Sequence, residues 1–109
     1  MKGLALSRAA SGLLRFLLHR VEGERDRIFL IEASSTDWQS LTFTGEQHLL
    51  VLRIGGASAE SLANALTDGL TDVEFSIPGH IVADIAAFPA TKEPDGSILV
   101  RIEALTVTE

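Results

Sequence analysis

Residues 92–96 read Lys-Glu-Pro-Asp-Gly and lie between two apolar stretches, 80–88 and 97–107. Proline fixes the φ angle required near the start of a tight turn, and glycine accepts the left-handed conformation required at its end. Residues 97–107 place apolar side chains at every second position, as a strand does. The sequence therefore predicts an antiparallel hairpin whose turn lies at 92–96.

Alternating apolar and polar residues predict more strands upstream of this hairpin. Three such segments lie within 27–54, separated by polar clusters at 34–37 and 44–46. We expect them to form a three-stranded antiparallel meander. Residues 72–77 alternate in the same way and predict a half-buried strand.

Two segments have helical spacing instead. Residues 4–21 place apolar side chains at intervals of three and four, which predicts an amphipathic helix. The second helix is short, with Ser58 as a candidate N-cap after Gly55-Gly56 and with Gly69 near its end.

The order helix, three strands, helix, three strands indicates an α+β fold, because tight turns join most strands. We expect residues 1–109 to form a single domain. Its architecture should be a two-layer sandwich with a largely antiparallel sheet of about five or six strands. An N-terminal amphipathic helix and one short central helix should cover one face of that sheet.

The predicted hairpin has more apolar surface than one layer of helices can cover. Residues 80–88 are apolar on both faces of the strand, and residues 97–107 nearly so. A partner subunit is the simplest cover for the second face, and two-fold dimers are the commonest homo-oligomers. We therefore expect a homo-oligomer, most simply a dimer.

Composition excludes several classes of function. The chain has no cysteine, which excludes disulfides, thiolate nucleophiles and iron–sulfur clusters. Residues 1–27 have six basic and three acidic residues, a net of +3, and the remainder has a net of −9. Because an acidic body repels phosphate backbones, we expect no nucleic-acid partner. No apolar run is long enough to span a membrane, and we expect a cytoplasmic protein.

The N-terminal bases are the exception to this acidic character. Arg8, Arg15 and Arg20 could contact an anionic membrane surface or an acidic partner. The alternative is an ordinary solvated helix face, which most surface helices have.

The candidate ligand-binding residues lie on the predicted hairpin: His80, Asp84, Arg101 and Glu103. A carboxylate among apolar neighbours, as Asp84 is, needs a partner if it is buried. His80 and Asp84 would share one face of a regular strand, but at roughly 13 Å they are too far apart for a hydrogen bond. The structural alternatives are an Asp84–Arg101 pair across the hairpin and a solvated stripe containing Arg101 and Glu103.

Other motifs are weak or missing from the sequence. His19, His48 and His80 lack metal-ligand spacing, and no catalytic triad or cofactor motif occurs, so we expect neither a metal nor a cofactor. Gly55-Gly56, between a strand and a helix, could receive an anion, although a plain turn explains them as well. Trp38 is either an interface residue or packed beneath the sheet.

These observations favour a non-enzymatic module that self-associates or binds a protein through the exposed sheet face. The alternative is a small-molecule-binding domain or a small enzyme with a pocket near Asp84, His80 and Arg101.

Overall fold

The computed structural model describes residues 6–109 and shows a mixed α+β fold with a five-stranded antiparallel sheet and two helices. In chain order the elements are α1 (Arg8–His19), β1 (Ile28–Gln39), β2 (Thr44–Ile54), α2 (Ala59–Thr67), β3 (His80–Ala87), β4 (Thr91–Lys92) and β5 (Ile98–Thr108). Short 3₁₀ turns at Arg25–Arg27 and Leu70–Asp72 follow the two helices. The strand order is β1-β2-β5-β3, and β4 also pairs with β5.

The predicted C-terminal hairpin is confirmed. β3 pairs with β5 from His80–Thr108 to Ala87–Ile102, and β4 continues along β5 to Lys92–Ile98. The turn closes when the Glu93 amide donates to the Ser97 carbonyl at 2.8 Å. Gly96 has φ +91°, the left-handed conformation expected of it.

The predicted three-stranded meander is wrong, because residues 28–54 form two long strands. Residues 34–37 continue β1 and pair with residues 46–49 of β2. The chain reverses instead at residues 40–43, where the Ser40 amide donates to the Phe43 carbonyl at 2.9 Å. Serine and threonine fit an edge strand as well as a turn, so the polar cluster did not end the strand.

The strand predicted at 72–77 is also wrong. A 3₁₀ turn occupies Leu70–Asp72, and the only bridge in the segment joins Ile77 to His80. Its apolar residues pack rather than pair, since the Phe75 ring lies 4.5 Å from the Phe16 ring of α1, centroid to centroid. The outer edge of β3 is free, yet this one bridge is the segment's only pairing with it.

Helix α1 is shorter than the predicted 4–21, and residues 4 and 5 lie outside the described residues. It begins after Ser7, whose Oγ accepts the Ala10 amide at 3.1 Å. α2 begins after Ser58, which has φ +60° and makes no capping bond with its side chain. Between 6 and 109, no helix is long and apolar enough to cross a membrane.

The core lies between the helices and one face of the sheet. Even-numbered residues of β2 and β5 supply the sheet side of the core, and both helices supply the other side. The fully buried members are Leu13, Leu17, Leu50, Leu52, Ile54, Leu66, Val100 and Ile102.

Candidate functional site

The opposite face of the sheet is formed by the odd-numbered residues of β2 and β5 and their neighbours on β1 and β3. We call this surface the open face, because none of its apolar side chains belongs to the core cluster of the described residues. Its large apolar members are Phe29, Trp38, Leu49, Val51, Ile81, Phe88, Leu99, Leu105 and Val107. Val107 is nevertheless only 7% exposed. Phe29 is 56% exposed and Ile81 is 48% exposed.

The four predicted ligand-binding residues are divided between the two faces. A β-bulge between Val82 and Asp84 shifts the register, so that His80 lies opposite Thr108 and Asp84 opposite Leu105. A one-residue shift moves every later side chain to the other face of the strand. Asp84 therefore lies on the open face, whereas His80 lies on the same face as the core.

Arg101 and Glu103 lie on the open face with Asp84. The Arg101 guanidinium bonds to Glu103 Oε2 at 2.7 Å and lies 5.3 Å from the centroid of the Phe88 ring. Both members of the ion pair are about half exposed. The structure thus brings Arg101 and Glu103 together, but it does not bring His80 or Asp84 to them. Whether these residues bind a ligand stays a prediction.

The N-terminal bases and the glycine pair have other neighbours. Arg8 and Arg15 are exposed on α1, while the Arg20 guanidinium donates to the Asp68 carbonyl just beyond α2. Arg27 Nε donates to the Gly55 carbonyl at 2.9 Å. The loop after β2 therefore presents a carbonyl to a cation.

Sequence reasoning missed a cleft at the end of the sheet where β1 and β2 turn. Its volume is about 410 Å³. Residues from β1, β2, β3 and β5 form its lining: Asp37, Trp38, Gln39, Thr44, Gly45, Glu46, His80, Thr106 and Thr108. Of the predicted site residues, only His80 lies in it.

Thr106, one of the lining residues, is bonded to a buried histidine, His48, which is 3% exposed. Its Nδ1 is 2.7 Å from Ser35 Oγ, and its Nε2 is 2.8 Å from Thr106 Oγ1. A neutral imidazole donates from one nitrogen and accepts at the other, and a hydroxyl can serve either role. Both ring nitrogens are therefore satisfied when His48 is uncharged.

Burial lowers the pKa of His48 below its ordinary value, because the charged ring would lose its hydration. The Glu46 carboxylate, 3.9 Å from His48 Nε2, opposes this by favouring the charged form. His80 reinforces the effect of burial. The network thus favours a neutral His48.

The network also joins α1 to the sheet. Ser7, which caps the start of α1, donates from its Oγ to Ser35 Oγ at 3.4 Å. The first turn of α1 consequently lies over Ser35 on β1. Asp37, two residues further along the same face of β1, lies at the cleft.

Gly45 allows the close approach of β2 and β5 beside the cleft. A Cβ atom at this position would lie 1.9 Å from the Thr106 carbonyl oxygen. Any other residue would therefore push apart the two strands that hold Glu46 and Thr106 at the cleft.

No known protein family, curated protein or solved structure matches this chain.

The cleft lining has two acidic residues and, apart from His80, no basic one. Asp37 and Glu46 lie directly opposite each other on β1 and β2, and the lining has no lysine or arginine. Within residues 6–109, no three histidine or carboxylate side chains are grouped closely enough to hold a metal ion. The sequence contains one sign of a polar site at this end of the sheet: Glu46 and His48 are polar residues at the core-facing positions of a strand.

Proposed function

We propose that this chain is a non-enzymatic, self-associating domain whose open face packs against the same face of a second copy. In this proposal α1 and α2 form one layer, the sheet forms the next, and the second copy covers the sheet of this two-layer sandwich. α1 acts as the amphipathic cover of the first face. The absence of cysteine agrees with a cytoplasmic setting for the dimer.

The supporting observation is the pattern of apolar side chains on the open face. Leu49 and Val51 are neighbours on one face of β2, and Leu105 and Leu99 lie diagonally across from them on β5, while their direct partners are Glu103 and Arg101. Phe29 and Ile81 extend the surface to both edges. Large exposed apolar surfaces, especially those bordered by polar residues, mark interaction sites.

The size of the open face suits a dimer. Four strands spaced about 4.8 Å apart and about ten residues long cover roughly 600 Å² on one face. Two such faces in contact would bury about 1,200 Å² in total, the lower end of the range for stable, specific interfaces.

The charges on the open face favour a second copy over a partner of one charge sign. Its charged residues have both signs, and Arg101 and Glu103 neutralise each other. They are Glu32, Arg53, Asp84, Arg101 and Glu103, a net of −1, whereas the whole chain has a net charge of −6. A surface with both signs can be complementary to itself across a two-fold axis.

The alternative of a small-molecule site at Asp84, His80 and Arg101 is less well supported, because His80 lies on the opposite face. An anionic contact through Arg8, Arg15 and Arg20 is weakened by the bond between Arg20 and Asp68. Nucleic acid has no place in the proposal, since the chain is acidic.

The test is the molar mass of the protein by light scattering after size-exclusion chromatography. The wild type should be a dimer at micromolar concentration, and Leu49→Lys should be a folded monomer, because docking of the second copy would strip the lysine ammonium of its hydration even with Glu103 opposite it. Leu41→Lys is the matched control, since Leu41 is 105% exposed in the turn between β1 and β2 and outside the open face.

A wild type that is monomeric at about 100 μM, a concentration far above a micromolar Kd, would refute the proposal. So would a Leu41→Lys variant that dissociates while Leu49→Lys stays dimeric, because the interface would then involve the turn. Circular dichroism of each variant establishes that the fold is retained.

A further inference from the structure

We propose that the two copies pack with their strands antiparallel, about a two-fold axis that runs across the strands at the level of the Leu50–Ile102 pair. Arg101 and Glu103 determine this orientation, because each faces its opposite charge in the second copy. This inference rests on the proposed dimer and names the side chains by which one copy recognises the other.

The centre of the open face differs between its two middle strands. On β2, Leu49 and Val51 present two apolar side chains. On β5, their direct partners Glu103 and Arg101 present one charge of each sign. The register thus places two apolar residues beside one acid and one base.

This pattern disfavours a two-fold axis along the strands. Face-to-face sheets pack with their strands nearly aligned, or nearly perpendicular where strands pass from one sheet to the other at a corner, which two separate chains do not provide. In the aligned class, an axis along the strands would place β2 against β5 of the second copy. Leu49 would then face Glu103 and Val51 would face Arg101, so both charges would lose water against apolar side chains.

An axis across the strands gives complementary contacts instead. Each strand then faces its own copy running the opposite way, so that Arg101 faces Glu103 and Leu49 faces Val51, twice by symmetry. The charges also fix the level of the axis. One residue toward either end, Arg101 would face Arg101 or Glu103 would face Glu103, and like charges in contact are strongly unfavourable.

The ion pair within each chain leaves atoms for this contact. Arg101 Nε and one terminal nitrogen both bond to Oε2 of Glu103, at 3.2 Å and 2.7 Å. The other terminal nitrogen and Oε1 of Glu103 make no side-chain hydrogen bond within residues 6–109. A guanidinium donates through several N–H groups and a carboxylate accepts at both oxygens, so the side chains of two copies can form a ring of alternating charge.

The rest of the open face agrees with the same axis. The other opposed pairs are Leu99 with Leu105, Phe88 with Ala86, Arg53 with Gln47, and Glu32 with Ser34. The first two bring apolar side chains together, and the last two place a charged side chain against a neutral polar one. None of these pairs opposes two like charges.

The first experiment reverses the central charges. Arg101→Glu would place acids against acids across the axis, and Glu103→Arg would place bases against bases. We expect each variant alone to raise the Kd of the dimer by about tenfold or more. An equimolar mixture of the two should form a heterodimer with a Kd near that of the wild type, because every acid then faces a base. Light scattering gives the molar masses, and native mass spectrometry distinguishes the heterodimer from homodimers.

Arg53→Glu is the matched control. It changes the net charge of the chain as much as Arg101→Glu does and also lies on the open face, but it faces Gln47. Its Kd should rise much less, and Glu103→Arg should not restore it. Loss of the dimer in Arg53→Glu to the same extent as in Arg101→Glu, or a mixture that stays monomeric, would overturn the proposal. Circular dichroism establishes that each variant is folded.

A distance measurement tests the axis directly. The chain has no cysteine, so Leu41→Cys accepts one spin label per chain, in the exposed turn between β1 and β2. Thr44, at the end of this turn, lies six residues from Leu50, roughly 20 Å at the rise of a strand. An axis across the strands puts the two turns at opposite ends of the dimer, roughly 40 Å or more apart. An axis along the strands puts them at the same end, about 15–25 Å apart.

The label distance is measured by pulsed electron paramagnetic resonance on the dimer. A distance of about 40 Å or more, two strand half-lengths, supports the proposed axis. A shorter distance in a protein that light scattering shows to be dimeric would overturn the orientation and leave the proposed function in place. A wild type that is monomeric overturns the proposed function itself, so the two failures are distinguishable.

Discussion

The two faces of the same two strands have different surroundings. Leu50 of β2 is 0% exposed and packs in the core, whereas its neighbour Leu49 points to the open face and is only partly buried. The same contrast holds on β5 between Val100 and Leu99. Because successive side chains on a strand point to opposite faces, one strand can build two apolar surfaces. The helices cover one of them, and we propose that a second copy of the chain covers the other.

The largest effect should come from a matched pair of substitutions on β2. Leu50→Ala leaves a cavity in the core and should lower the free energy of unfolding by about 2–5 kcal/mol. Leu49→Ala should cost about 1 kcal/mol in the monomer, since less of its surface is buried there. Urea denaturation of each variant, read by circular dichroism, measures the two losses.

Protein concentration then sharpens this comparison. If the open face is an interface, Leu49→Ala should lower the free energy of unfolding by more at protein concentrations where the dimer is populated. The loss caused by Leu50→Ala should be the same at all protein concentrations. A loss for Leu49→Ala that is the same at all protein concentrations would count against the dimer.

The sequence predicted the hairpin correctly because local chemistry and strand alternation agree there. Pro94 and Gly96 define the turn, and the residues on either side alternate. The surplus of apolar residues on β3 and β5 could be predicted for the same reason, since alternation assigns residues to the two faces of a strand without knowledge of the fold.

The cleft could not be predicted in the same way. Its residues come from four strands that are far apart in the sequence, and the polar segment 34–37 resembles a turn by composition. The bulge at Ala83 has neither glycine nor proline as a signal, yet it decides which face Asp84 occupies. A single extra residue in a strand is invisible to periodicity, but it divides the predicted site in two.

The core-facing side of the sheet can also be compared along its length, between the apolar core around Leu50 and the polar network around His48. Burial holds the pKa of His48 below its ordinary value, so the folded state binds its proton less readily than the unfolded state does. The neutral ring therefore stabilises the fold above about pH 6.5, and this stability is lost as the pH falls through the folded pKa. Glu46 favours the charged ring and so reduces this loss of stability at low pH, whereas His80 disfavours the charged ring and increases the loss.

His48→Gln should remove this part of the pH dependence while keeping one of the two hydrogen bonds that His48 makes with Ser35 and Thr106. At about pH 8, where the ring is neutral, we expect the variant to lose about 1–3 kcal/mol, because one buried hydroxyl loses its partner. The measurement is urea denaturation at several pH values, with His19→Gln as the exposed control. If the free energy of unfolding of His48→Gln falls with decreasing pH as steeply as that of the wild type, the pH dependence comes from other groups.

The smallest effect should come from the ion pair on the open face. Arg101 and Glu103 are both about half exposed, and exposed pairs of this kind contribute about 0–1 kcal/mol. A double-mutant cycle of Arg101→Gln and Glu103→Gln should give a coupling in this range when the protein is dilute enough to be monomeric. In the wild-type dimer the pair would lose water, and the coupling should increase and depend less on salt. Equal couplings at both protein concentrations would indicate that the ion pair lies outside the interface.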